Sequence, residues 1–146
     1  MRTSRSPQRT RPGAPAWTRS FENKARAGRL SLVFEGGDLR YVRLDEREIV
    51  RRVYVAIRDA NWNTVPGRIS ALRIDEHEDR FDISYRCEHV QGPIDFVWTA
   101  TISGRSDGTI TFAMHGEARS TFLRNRIGIC VLYPPRECAG ARYRVE

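Results

Sequence analysis

At 146 residues the chain has room for one ordinary domain and not for two. Three cysteines, Cys87, Cys130 and Cys138, make neither an even disulfide framework nor a C-x-x-C pair, so they read as free thiols of a reducing, cytoplasmic compartment. The net charge of +7 points towards nucleic acid, but its location points away again. Residues 1–29 carry seven arginines and one lysine against a single acid, whereas residues 30–146 carry seventeen arginines and seventeen acids. The excess therefore belongs to the N-terminus, and specific nucleic-acid recognition by the body of the chain is not expected.

From Met1 to roughly Arg19 the sequence is Arg, Ser, Thr, Pro, Gln and Gly, with Trp17 as its one large apolar residue. Such a segment cannot bury enough surface to offset the entropy of ordering, so residues 1–28 are expected to be a disordered arginine-rich tail and 29–146 a folded domain. No apolar h-region follows the basic start, as a signal peptide would require. Nor does any apolar run approach the length of a membrane span.

After Gly28 the sequence adopts a period of two. Leu30, Leu32 and Phe34 alternate with polar residues, Gly36-Gly37-Asp38 turns the chain, and a second strand runs through Leu39, Tyr41 and Val42. Residues 48–58 predict a long strand with Val53, Val55 and Ile57 on one face, and residues 69–75 another. In residues 81–88 the alternation is regular, with Phe81, Ile83, Tyr85 and Cys87 inward. Residues 95–104 and 109–115 predict a hairpin: Phe96, Trp98, Ala100 and Ile102 face Ile110, Phe112 and Met114 across the Arg105–Gly108 turn. A last strand spans about 127–133 and stops at Pro134-Pro135, and one short helical turn is expected near Arg119–Arg124. About seven or eight regularly spaced strands imply an all-β, antiparallel β-sandwich, with a closed β-barrel as the alternative.

Familiar catalytic signatures are missing: no P-loop, G-x-G-x-x-G, H-E-x-x-H or G-x-S-x-G occurs. Cys87 and His89 share a strand face and with Glu78 or His77 would suggest a metal site, but only two convergent ligands are visible, short of a zinc site, so no metal or cofactor is expected. They read instead as a core cysteine beside a strand-end histidine, and His115 is given no role. Two polar clusters interrupt the alternation. In Arg58-Asp59-Ala60-Asn61-Trp62-Asn63-Thr64, a tryptophan among amides with an Arg and an Asp suits sugar recognition. The same loop is better explained by Asx turns at Asp59 and Asn61, with Trp62 capping the sandwich. In residues 117–126, Arg119, Arg124 and Arg126, with Asn125 between the last two, fit neither a strand face nor a helix stripe. They suit carboxylates of a ligand or a neighbouring domain, or an internal network with Glu117.

The stretch Gly116–Pro134, GEARSTFLRNRIGICVLYP, resembles the D-apionate lactonase family, bacterial enzymes of branched-pentose catabolism. Leu39–Ser70, the Ser103–Phe112 hairpin and the terminal ECAG of Glu137–Gly140 agree with it. The resemblance covers about residues 30–146 and implies a longer protein: an N-terminal β domain, a barrel-like catalytic domain and a small C-terminal domain. It implies hydrolysis of a sugar-acid lactone, with the catalytic groups in the barrel and none in this chain. The expectation is therefore a non-catalytic N-terminal domain, present as a fragment, whose partner is the catalytic barrel and whose possible ligand is a sugar acid. A free-standing carbohydrate-binding module is the alternative. A third reading is weak, salt-sensitive nucleic-acid association through the tail.

Overall fold

The computed structural model describes residues 22–145 of the chain, except the side chain of Glu22. Nine strands follow in order: β1 (Glu22–Ala27), β2 (Leu30–Glu35), β3 (Asp38–Leu44), β4 (Arg47–Asp59), β5 (Arg68–Glu76), β6 (Arg80–Gln91), β7 (Ile94–Arg105), β8 (Ile110–Ala118) and β9 (Arg124–Leu132). They form two antiparallel sheets, β1-β2-β3-β4-β9 and β5-β6-β7-β8, so the sandwich expected from the alternation is present and no barrel closes. Consecutive strands pair within β1–β4 and within β5–β8, the chain changes sheet between β4 and β5, and β9 crosses back from the second sheet to lie beside β4.

Two expectations change. Residues 22–27, assigned above to the tail, form β1: Ala25 and Ala27 are buried, and the strand pairs with β2 along its whole length. Short alanines carry too weak a period for the sequence to reveal it. The tail's remaining residues, 1–21, lie outside the described residues. The helical turn expected near Arg119–Arg124 is instead an irregular crossover that runs into β9 at Arg124, and the one helix among the described residues is the single turn α1 (Pro135–Cys138). Among the described residues no helix is long and apolar enough to cross a membrane.

The core lies where the period of two predicted it. Leu30, Leu32 and Phe34 of β2 meet Phe81, Ile83 and Tyr85 of β6 and Phe96, Trp98, Ala100 and Ile102 of β7. Phe34, Tyr85 and Trp98 form an aromatic spine, with ring centroids 5.7 and 5.3 Å apart, the second contact edge-on. β6 and β7 pair through twelve uninterrupted partners, from Arg80↔Arg105 to Gln91↔Ile94, and are the most buried part of the second sheet. The β7–β8 turn uses Gly108 at φ +92°, where a side chain would be strained.

Candidate functional site

The long strand β4 ends at Asp59, and there the backbone turns through a loop organised by one carboxylate. Asp59 Oδ1 accepts from the N–H groups of Asn61 and Asn63 at 2.8 and 2.9 Å, and Oδ2 accepts from Asn63 Nδ2 at 3.1 Å. These donors hold the Asp59 carboxyl below its ordinary value, the Asn63 side chain contributing most. The loop is clamped at its base, where Arg58 pairs with Thr64 through backbone and side chain. The Asx-turn reading of Asp59 is thus what the structure contains, and Asn61 joins it through its backbone.

Trp62 behaves differently from a cap. Its backbone sits at φ +67°, and its side chain is 62% exposed at the tip of the loop. A bulky residue in the left-handed region is strained, and here no burial compensates it.

β9 starts beside this loop. Its register sets Arg126 opposite Arg58 and Arg124 opposite Asp59, with a bulge at Asn125 between them. The two sequence clusters, more than fifty residues apart, therefore become neighbours at one end of the first sheet. Arg124 and Arg126 form no ion pair with a described side chain, Asp59 being engaged by the loop amides, and Leu123 beside them is 81% exposed. Arg119 does not join them. It reaches back to the second sheet, donating to Asp95 Oδ1 through Nε and Nη2 at 2.9 and 2.7 Å and to Glu88 at 3.2 Å. The internal network anticipated for it exists, but with Asp95 and Glu88 rather than Glu117.

Behind the loop lies a cleft of about 300 Å³ between β4 and β6, whose floor is Tyr85, Cys87, His89 and Trp98. Its polar groups are committed to one another. Trp98 Nε1 donates to His89 Nε2 at 3.0 Å, and His89 Nδ1 donates to the Val65 carbonyl at 2.9 Å, which selects the Nδ1-protonated tautomer. Cys87 Sγ lies 3.5 Å from His89 Nε2, and Gly67 passes so close that a Cβ there would stand 2.6 Å from that sulfur. Tyr85 Oη donates to the Gly37 carbonyl at 2.7 Å. Burial pushes the Cys87 thiol up to about 12, raises the Tyr85 phenol and lowers the His89 imidazole. At the rim, Asp38 accepts from Arg52 at 2.7 Å, yet burial still holds its carboxyl above the ordinary range. The sequence missed Trp98 as the partner of His89, because their strand-to-strand neighbourhood depends on the hairpin register. Among the described residues no group of three His, Cys, Asp or Glu side chains could hold a metal.

Comparison with known proteins decides the lineage. Residues 15–146 match the family described as "D-apionate lactonase, N-terminal domain". The chain belongs to the D-apionate lactonase family. A D-apionate lactonase of Brucella anthropi is 35% identical over 136 residues, a match spanning 88% of this chain and 22% of that protein. The chain thus covers under a quarter of the length of the curated lactonase it matches. No solved structure matches it. What the family match covers is the sandwich, including both clusters at the end of the first sheet.

Proposed function

We propose that the chain is a non-catalytic N-terminal sandwich of a longer D-apionate-lactonase-like protein of bacterial, cytoplasmic carbohydrate catabolism. In this reading the Trp62 loop and the start of β9 form the surface that meets the catalytic part. The observation that carries it is that the β4–β9 register brings the start of β9, with Arg124, Arg126 and the exposed Leu123 before it, beside the loop that carries Arg58 and the exposed Trp62. Tryptophan and arginine dominate the energetics of protein interfaces, and guanidinium groups without acids of their own seek carboxylates elsewhere. The strain at Trp62 is paid to hold the ring outward, where a second surface can receive it.

The cleft supports the non-catalytic half of the proposal. Lactone hydrolysis needs an activated water or nucleophile, and here the thiol is held protonated while both imidazole nitrogens and the phenol are occupied. A free-standing carbohydrate-binding module would use the same exposed Trp62. Small-ligand sites are concave, however, and Trp62 projects from the surface without lining the cleft, which favours docking.

The test is turnover of a sugar-acid lactone by the purified chain and by its Arg126→Ala variant. No turnover is expected from either. Robust turnover by the intact chain, lost in the variant, would move the active site into this domain. Grafted in place of the matching region of the Brucella anthropi lactonase, the chain is expected to support activity, and Trp62→Ala with Arg126→Glu to reduce it. Unchanged activity in that double variant would refute the docking surface.

A further inference from the structure

The outer face of the first sheet, remote from the Trp62 loop, carries a second and different feature. Along β1, Lys24 and Arg26 point outward between buried Ala25 and Ala27. The register places Arg26 opposite Ser31 of β2, and Ser31 opposite Arg43 of β3; Lys24 stands opposite Val33 in the next row. Long cationic side chains therefore rise on both outer strands, roughly 10 Å apart at two strand spacings, over a low floor of Ser31 and Val33. The result is an open trough of about 600 Å³, lined also by Tyr41.

Two observations mark this trough as a site. None of Lys24, Arg26 and Arg43 forms an ion pair with a described side chain, although Arg29 and Asp45 at the trough's end pair with each other and Arg51 pairs with Glu48 at 2.5 Å. Across this face the sequence has used its acids on other arginines and left these three cations facing the trough, with Glu46 as the one uncommitted acid along the lining. Independently, Tyr41 occupies the left-handed region at φ +51° within a bulge, where two β3 residues oppose Leu32. Tyr41 is 40% exposed, and the Arg51 guanidinium lies over one face of its ring, 5.4 Å from the centroid. Neither core packing nor a turn accounts for a strained aromatic here; the bulge re-aims the ring over the trough.

We propose that this trough binds a short carboxylated oligosaccharide. The Tyr41 ring packs against sugar C–H faces, Lys24, Arg26 and Arg43 pair with carboxylates on either bank, and Ser31 hydrogen-bonds a hydroxyl between them. The trough is open at its surface, so it suits a few linked sugars laid along it better than an enclosed monosaccharide. Single-stranded nucleic acid, the other polyanion to consider, gains its affinity from successive bases stacked on several aromatic rings. One tyrosine, already flanked by Arg51, offers no such ladder. The site is separate from the Trp62 surface and does not depend on how the domain meets a catalytic part.

The experiment is isothermal titration calorimetry of the purified chain with trigalacturonate, its methyl-esterified counterpart and a short single-stranded DNA, at moderate salt. Trigalacturonate is expected to bind, the esterified trisaccharide to lose at least tenfold in affinity, and Arg43→Ser to do the same. Tyr41→Gly keeps the left-handed backbone and every charge, so it is expected to stay folded by circular dichroism while losing binding at least tenfold. Absence of trigalacturonate binding overturns the proposal. So does binding that DNA equals and Tyr41→Gly leaves unchanged, because charge alone would then explain it.

Discussion

Replacing His89 by alanine tests whether the relay behind the Trp62 loop is structural. His89 is buried between the Trp98 indole N–H and the Val65 carbonyl, and its removal strands both. A buried polar group left unpaired costs about 1–3 kcal/mol, so the pair and the emptied volume amount to about 3–5 kcal/mol. Against the 5–15 kcal/mol typical of a domain, that is a large loss, with a melting midpoint lower by roughly 10–20 °C. Urea unfolding followed by circular dichroism, with an unchanged slope, is the assay. A loss under about 1 kcal/mol would show that water replaces the imidazole and that the relay anchors nothing. The same residue sets an acid limb. Because burial lowers the His89 value in the folded state, the unfolded chain binds the proton more readily. The contribution is complete above about pH 6.5, the unfolded histidine value, and is lost as pH falls towards the folded one. Carboxylates held low by their partners, Asp45 and Glu88 among them, act below about pH 4.5. Stability is therefore expected to decline between pH 7 and pH 5 in the native chain and to stay flatter in His89→Ala.

Trp98→Ala removes the edge-on partner of Tyr85 and the donor to His89, and about 3–5 kcal/mol of stability is expected to go with it; a near-native melting temperature would refute the core assignment. Tyr85→Phe loses only the bond to the Gly37 carbonyl and is expected to cost about 1–2 kcal/mol in the same urea assay. Thiol labelling at pH 8 in the folded chain is expected to reach Cys138 readily and Cys87 only on unfolding, since Cys87 is buried and pushed up to about 12. Equal rates at both positions would show that the cleft opens.

Much of the sandwich was legible because β6 and β7 face solvent on one side and the core on the other, which writes a period of two into Phe81 to Cys87 and Phe96 to Ile102. β1 escaped because its inward residues are alanines between charges. Which polar clusters would meet was not legible at all. The Arg58–Thr64 and Arg119–Arg126 segments look independent in sequence, and only the β4–β9 register brings part of the second against the first. Arg119 was separable from Arg124 and Arg126 only once Asp95 and Glu88 were placed beside it, across strands that periodicity cannot align. The resemblance to the lactonase family came from phrases of sequence and was independent of the site.

The late crossing of β9 bears on how the domain assembles. β1 to β4 and β5 to β8 are two meanders whose contacts are local in the chain, so each can form early and quickly. β9 must wait, because it pairs residues 124–132 with residues 52–59 and closes a loop of more than sixty residues. Until it docks, β4 is an open edge thirteen residues long, carrying Val53, Val55 and Ile57 towards any other strand it meets. During synthesis that edge stays uncovered until the second meander and β9 have left the ribosome. Losing the residues after Phe122 would make the exposure permanent and turn a folding delay into a template for aggregation.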